Sequence, residues 1–305
     1  MRRIDNNIKF NINLNFEMKK FLTRTLSGAV YAIIVVGSIY ACRWLDSLLG
    51  KIIFACVFLA VGIVGIYEYV NNLSKKGVAC NRPMAYIAGI IVYLGMVVPS
   101  FQDGLLSLSA IHTVFVVGLV FAGLMPVMFL TVFALQLWRN DDEPFTTVGH
   151  TLIPSIWIMM PLALLNEVQL LGTGLTMMVF ILIWVNDSFA YITGMLMGRT
   201  KMWERHSPNK TWEGTIGGAL FCIVAAILVG QRLYPFIQPL GWAIIGLICS
   251  SVGTLGDLVE SMFKRYCGVK DSGKIMPGHG GILDRFDSIL MTVPFVLFFV
   301  TIITL

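Results

Sequence analysis

Long apolar runs alternate with short polar segments along the chain, and the most polar segments come late in the sequence. A helix that crosses a bilayer needs roughly 20 predominantly apolar residues. The alternation therefore predicts about nine transmembrane helices. These predicted spans are residues 26–42, 52–67, 84–99, 113–137, 151–166, 174–197, 214–232, 240–262 and 286–305.

The composition supports the same interpretation. Of the 305 residues, 57% are hydrophobic and only 13% are charged, and the mean hydropathy is +0.80. Soluble domains carry about 25% charged residues. We therefore expect an all-α polytopic membrane protein with three parts: an N-terminal tail at residues 1–25, a scaffold of five spans at 26–173, and four spans at 174–305 that carry the candidate chemistry.

The distribution of lysine and arginine predicts the orientation, because these residues are enriched in loops that stay in the cytoplasm. If the N-terminus is cytoplasmic, most basic residues fall in cytoplasmic segments, and only Arg43, Lys51 and Arg232 fall on the opposite face. The same assignment places the polar loops 198–213 and 263–285 on the cytoplasmic side. Nucleotides are found on that side of the membrane.

Acidic residues in the late spans are the first candidates for chemistry, because ionisable groups are costly inside a membrane. Asp187 interrupts the sixth span. Asp257 and Glu260 lie near the end of the eighth span, and Asp284 and Asp287 open the ninth. Asp284 and Asp287 are three residues apart and share one helix face. A single acid at a helix start can simply complement the helix dipole, whereas several acids that converge from different spans indicate a functional site.

Three carboxylates at one membrane boundary would repel one another unless a cation joined them. Mg²⁺ prefers hard oxygen ligands and commonly takes one or two carboxylates together with phosphate oxygens. We therefore predict that Asp257, Asp284 and Asp287 bind Mg²⁺, with room for a second cation, in a centre that handles a nucleotide.

Basic residues and glycines precede the last acid pair. The segment KRYCGVKDSGK contains Lys264, Arg265 and Lys270, and PGHGG follows it. Glycines let backbone amides approach an anion closely. A basic loop could serve only topology, and a glycine-rich turn could be a simple connector. The glycine-rich turn PGHGG lies between this basic run and the acid pair, and that position favours a phosphate site.

The second polar loop reads SPNKTWEGTIGG. Ser207 and Pro208 are typical of a helix N-cap and first helical position. This pattern predicts that Lys210 and Thr211 lie in the first turn of a helix, where anions bind. Capping alone would also explain Ser207, and Lys210 could simply extend its side chain to the membrane interface.

The segment from Ser261 to Asp287, SMFKRYCGVKDSGKIMPGHGGILDRFD, resembles the signature of phosphatidate cytidylyltransferases. That signature runs S-x-x-K-R-x₄-K-D, a short spacer, and H-G-G-x-x-D-R-x-D. NDSFAYITGMLMGR and SPNKTWEGTIGG also resemble family segments, so the resemblance covers about residues 184–288. The chain departs from the family at Asn209, where a lysine is frequent, and at Ser188 and Phe189, where threonine and glycine are common.

The resemblance implies a Mg²⁺-dependent reaction of CTP with phosphatidic acid that yields CDP-diacylglycerol and pyrophosphate. It also implies a multi-pass homodimer in the inner (cytoplasmic) membrane, with its active site on the cytoplasmic side and no nucleic-acid partner. The expected catalytic residues are Asp257, Asp284, Asp287, Lys264, Arg265 and Lys270. The expected substrate-binding residues are Ser207, Lys210, Thr211, Asp271, His279, Gly280, Gly281, Arg285 and Asp187.

Two other functions stay open. A CTP-dependent lipid-alcohol kinase would also need a metal and a basic loop, but it would release CDP in place of pyrophosphate. An ion-coupled transporter would place acids near the bilayer midplane. The clustering of the late charged residues on one face is less typical of such a pathway.

Overall fold

The computed structural model describes residues 2–45, 47–101, 118, 123–139, 141–278 and 280–304. These residues are mostly helical and include one short β-hairpin. The helices are α1 (Arg2–Trp44), α2 (Ser47–Lys76), α3 (Arg82–Val97), α4 (Met125–Gln136), α5 (Pro144–Leu171), α6 (Thr173–Met197), α7 (Trp212–Leu233), α8 (Pro239–Tyr266) and α9 (Leu283–Thr304). The hairpin pairs β1 (Lys201–Trp203) with β2 (Ser207–Thr211) in antiparallel orientation.

Seven of the described helices are long and apolar enough to cross a membrane: α1 from Leu22 onward, α2 from Leu48 onward, and α5 to α9. Helices α3 and α4 are apolar but shorter. The expectation of an all-α polytopic membrane protein is therefore confirmed in its general form. The number of spans and the side on which the N-terminus lies stay predictions, and much of the predicted span 113–137 lies outside the described residues.

Helix α2 extends further than the sequence predicts. The predicted span ends at residue 67, whereas the helix continues without a break to Lys76. Its last turn contains Lys75 and Lys76, whose positive charges complement the helix dipole. The extension buries two polar residues, Glu68 and Asn72, inside the protein.

Aromatic side chains connect the scaffold helices to the late helices. The ring of Phe58 on α2 lies 6.3 Å from the ring of Phe180 on α6 and 6.1 Å from that of Phe286 on α9. Tyr31 on α1 meets Phe286 edge to face at 5.6 Å. Because lipid tails are as apolar as these rings, close packing stabilises this contact more than exclusion of water does. The contact places the start of α9 against α1 and α2.

Helices α8 and α9 approach each other closely at Gly256. A Cβ atom added to Gly256 would lie 2.5 Å from the carbonyl oxygen of Asp287. Small residues at such contacts let helix backbones come together inside membranes. The absence of a side chain at Gly256 therefore brings Asp257, the next residue of α8, close to Asp287 of α9.

The predicted helix start at Ser207 and Pro208 is wrong. Residues Ser207–Thr211 form strand β2, and the N-cap of α7 is Thr211, whose side chain accepts a hydrogen bond from the Gly214 amide at 3.2 Å. Pairing with β1 holds Ser207 in extended backbone, in register with Trp203. Lys210 consequently projects from a strand and not from the first turn of a helix.

Candidate active site

A cavity of about 630 Å³ lies where α6, β2 and the starts of α7 and α9 meet α8. This volume is within the range of small-molecule sites, roughly 300–1,000 Å³. The charged residues that line it are Asp187, Lys210, Asp257, Lys264, Asp271, Asp284, Arg285 and Asp287. Ala190, Tyr191 and Met195 of α6 add apolar surface to the same cavity. A ligand with both charged and apolar parts would suit such walls.

Carboxylates from two helices converge in this region. Asp257 and Glu260 lie one turn apart on α8, and Asp287 is the fifth residue of α9. One carboxylate oxygen from each of the three lies within 4.8 Å of the others. Hard oxygen donors at this spacing fit a divalent cation such as Mg²⁺. Glu260 is only 1% exposed, and a buried carboxylate is costly unless a cation offsets its charge.

Lys264 connects the two helices that carry the acids. Its Nζ atom lies 2.7 Å from Oδ1 of Asp284 and also forms an ion pair with Glu260, one turn earlier on α8. The side chains of Lys264 and Asp284 are 13% and 10% exposed. This largely buried pairing ties the end of α8 to the start of α9.

Asp284 also binds the glycine-rich loop. Its Oδ2 atom accepts hydrogen bonds from the Ser272 amide at 2.9 Å, the Ser272 hydroxyl at 2.9 Å and the Gly281 amide at 2.7 Å. Protein donors therefore engage both oxygens of Asp284. The three converging carboxylates are those of Asp257, Glu260 and Asp287, so Glu260 stands in the place that the sequence predicts for Asp284. The predicted metal set Asp257, Asp284 and Asp287 stays a prediction.

Lys210 reaches the acids from the hairpin. Its Nζ atom lies 2.6 Å from Oδ2 of Asp257 and donates a hydrogen bond to the carbonyl oxygen of Thr254 at 3.3 Å. The lysine side chain is 24% exposed and the aspartate side chain 35%. The pair therefore remains accessible from the cavity, where a phosphate group could compete for the lysine.

The glycine-rich loop folds back on itself before α9. The Met276 amide donates a hydrogen bond to the carbonyl oxygen of Gly280 at 3.1 Å. Gly280 has a φ of +86°, in the left-handed region that favours glycine. This turn delivers the Gly281 amide to Asp284. His279 was also expected in the site, but it lies outside the described residues.

The predicted site residues divide into two groups. Asp187, Thr211, Asp271 and Arg285 line the cavity together with the lysines and aspartates described above. In the described part of the chain, Ser207, Arg265, Lys270, Gly280 and Gly281 do not line it. Arg265 donates hydrogen bonds to the carbonyl oxygens of His206 at 3.4 Å and Val269 at 3.3 Å, so it joins the hairpin to the loop.

Glu68 on α2 is not among the site residues that the sequence predicts. This buried carboxylate accepts hydrogen bonds from the loop and from the start of α9. A signal was present, because a single acid stands in the apolar run VGIVGIYEYV. The predicted second span ends at residue 67, one residue before this acid, and therefore does not include it.

Comparisons with known proteins show the family of this chain. The sequence model of the cytidylyltransferase family matches residues 22–303. The phosphatidate cytidylyltransferase of Bacillus subtilis is 33% identical over 286 residues, which cover 92% of this chain and 96% of that protein. The enzyme of the same name from Staphylococcus saprophyticus is 35% identical over 258 residues, which cover 83% of this chain and 95% of that protein. The chain therefore belongs to the cytidylyltransferase family.

Proposed function

We propose that this protein is a phosphatidate cytidylyltransferase, which converts CTP and phosphatidic acid into CDP-diacylglycerol and pyrophosphate. One observation carries the proposal: carboxylates of α8 and α9 converge with Lys210 and Lys264 around a single cavity. The relatives named above bear this enzyme's name and are similar over most of their length. A lipid substrate also suits a chain with several apolar helices.

The acids of the cavity would hold the divalent cation. We assign Asp257, Asp287 and Glu260 to Mg²⁺. Asp284 orients Lys264, and the sequence assigns it to the metal as a further acid. When bound, the ion would neutralise charge on the triphosphate and on the lipid phosphate. Asp187 lines the same cavity, and a second cation stays part of the proposal.

The basic residues would bind the phosphates. Lys210 would leave its ion pair with Asp257 and bind a phosphate oxygen of the substrate. Lys264 and Arg285 would face the same cavity from α8 and α9. Thr211 and Asp271 would complete its wall. Six further residues keep the roles that the resemblance implies. The catalytic ones are Arg265 and Lys270, and the substrate-binding ones are Ser207, His279, Gly280 and Gly281.

The reaction needs little proton transfer, because the attacking group is already an ionised phosphate. An oxygen of phosphatidic acid attacks the α-phosphorus of CTP in line and forms the new phosphorus–oxygen bond. The bond from that phosphorus to the bridging oxygen breaks, and pyrophosphate leaves with the electron pair. The protein would act by positioning the two phosphates and offsetting their charge.

The membrane context follows the distribution of basic residues. We place the N-terminus and the cavity on the cytoplasmic side of the inner membrane, since most lysines and arginines then lie on that side. There a soluble nucleotide can meet a lipid head group. We also propose a homodimer, on the basis of the family resemblance.

Purified protein in lipid–detergent micelles tests the proposal. Incubation with CTP and Mg²⁺ should release pyrophosphate only when phosphatidic acid is present, and CDP-diacylglycerol should form in equal amount. Release of CDP with phosphorylation of a lipid alcohol would identify a kinase. Ion uptake into vesicles without any chemical turnover would identify a transporter. Either of these results would refute the proposal.

A further inference from the structure

Glu68 lies far from the acidic cluster in sequence but contacts the segment that leads into it. Its side chain is only 1% exposed. The Oε1 atom accepts a hydrogen bond from the Ile282 amide at 3.0 Å. The Oε2 atom accepts one from the Leu283 amide at 3.0 Å and one from the Ser272 hydroxyl at 3.1 Å. Both oxygens are therefore used to hold the loop and the first residue of α9.

This arrangement caps α9 from another helix. The first amides of a helix have no partner within it, and a nearby side chain normally accepts their hydrogen bonds. Here the acceptor comes from α2, more than 200 residues earlier in the chain. A carboxylate at a helix N-terminus also interacts favourably with the helix dipole. Glu68 thereby fixes where α9 begins, and so where Asp284 and Asp287 lie.

Ser272 relays the contact from Glu68 to Asp284. Its hydroxyl oxygen lies 3.1 Å from Oε2 of Glu68 and 2.9 Å from Oδ2 of Asp284, so one hydroxyl proton serves two carboxylates. The Ser272 amide donates a second hydrogen bond to Asp284 at 2.9 Å. From the other side, the Asn72 side chain donates to the Ser272 carbonyl oxygen at 2.7 Å. Glu68 and Asn72 of α2 thus hold the residue that orients Asp284.

We propose that Glu68 is a positioning residue for the cytidylyl transfer: through Ser272 and the amides of Ile282 and Leu283, it sets the orientation of Asp284 toward Lys264 and of Asp287 toward Asp257. This inference rests on the proposed function. It makes α2, which the sequence places in the scaffold, part of the machinery that aligns the acids.

The chemistry of the contact requires a carboxylate. A glutamine would keep one acceptor oxygen, but its NH₂ group would point at another donor, either the Ile282 amide or the Leu283 amide and Ser272 hydroxyl. A buried acid in a membrane helix is costly unless its environment satisfies it. A purely packing role could be met by an apolar side chain, which would avoid that cost.

The test compares Glu68→Gln with Val70→Ala. Val70 lies two residues further along α2 and is buried in the apolar core, so its truncation removes packing but no hydrogen bond to the loop. We expect Glu68→Gln to accelerate amide hydrogen exchange in residues 271–285. We also expect it to lower kcat by about tenfold or more and to raise the Mg²⁺ concentration needed for half-maximal rate, as is typical when a residue behind metal ligands is lost. Val70→Ala should change neither the exchange of residues 271–285 nor the kcat nor the Mg²⁺ requirement, even if it lowers the thermal midpoint as much as Glu68→Gln does.

Ser272→Ala provides an independent test, because it removes only the hydroxyl that Glu68 and Asp284 share. In a double-mutant cycle, its effect on kcat should be smaller in the Glu68→Gln background than in the wild type, since both changes break one relay. Unchanged exchange in residues 271–285 of Glu68→Gln would overturn the proposal. Equal kinetic losses in Val70→Ala at matched stability would overturn it as well.

The exchange measurement separates this inference from the proposed function. If the wild-type protein releases no pyrophosphate from CTP and phosphatidic acid, the proposed function fails. The exchange of residues 271–285 still shows whether Glu68 holds the loop and the start of α9.

Discussion

The Nζ atom of Lys210 lies 2.6 Å from the Oδ2 atom of Asp257, so a lysine on a β-strand is paired with an acid on a membrane helix. Both side chains are partly exposed to the cavity. Exposed ion pairs contribute only about 0–1 kcal/mol to stability. The pair can therefore separate at little cost when a phosphate competes for the lysine and a cation competes for the aspartate.

Lys210→Ala tests whether this lysine binds substrate. We expect the KM for CTP or for phosphatidic acid to rise by about tenfold, because a charge-assisted contact to phosphate is lost. The thermal midpoint should change little, since the pair is partly exposed. Lys201→Ala on the paired strand β1 is the matched control and should leave the kinetics unchanged. Wild-type kinetics of Lys210→Ala for both substrates would remove this lysine from the site.

Asp284→Asn tests the buried connection between α8 and α9. The substitution leaves Lys264 with one fewer partner and turns an NH₂ group toward groups that donate hydrogen bonds. Breaking a buried ion pair costs about 3–5 kcal/mol, so we expect a clear loss of thermal stability as well as activity. Asp142→Asn, at an exposed loop position, is the control. A thermal midpoint equal to that of the control would contradict the pairing.

Gly256→Ala tests the close approach of the two helices. The added methyl group would meet the Asp287 carbonyl and push α8 away from α9, at a cost of about 1–3 kcal/mol. Asp257 and Asp287 would then separate, and more Mg²⁺ should be needed for half-maximal activity. Gly37→Ala on α1 is the control, because no atom lies within 4 Å of its added Cβ. Identical Mg²⁺ dependence in the two variants would show that the helix contact does not set the acid spacing.

The orientation in the membrane can be tested by cysteine labelling. In a background without the six native cysteines, a cysteine introduced at Asp271 should react with a membrane-impermeant maleimide only from the cytoplasmic side. A cysteine introduced at Arg232 should react only from the opposite side. Both positions are exposed, so access is not limited by burial. The reverse pattern would overturn the assignment of the cavity to the cytoplasmic face.

The sequence predicts those features that depend on residues close together in the chain. Hydropathy indicates the apolar helices, and the spacing of Asp284 and Asp287 places both acids near the start of α9, with Asp284 in its first turn. Asp257 could be assigned to the same end of the molecule because α8 and α9 follow each other. Each of these inferences rests on helical periodicity or on the length of an apolar run.

Features that depend on tertiary contacts could not be predicted in this way. Ser207 has the local signature of a helix start, but pairing of β2 with β1 places it in a strand. Glu68 gives no local sign of its partners, because Ile282 and Leu283 are distant in sequence. The engagement of Asp284 by Ser272 and Lys264 likewise depends on how the loop folds back. In each case, a contact with another element or loop decides the role, and the residue's own local pattern does not.

The central claim is that acids of α8 and α9 jointly hold a divalent cation that binds the nucleotide. Binding of Mn²⁺, which takes the same oxygen ligands as Mg²⁺, can be followed by electron paramagnetic resonance in the presence of CTP. We predict that Asp257→Asn and Asp287→Asn each weaken Mn²⁺ binding by about tenfold or more, while Glu204→Gln in the exposed hairpin turn leaves it unchanged. Wild-type Mn²⁺ affinity in both aspartate variants would contradict the claim.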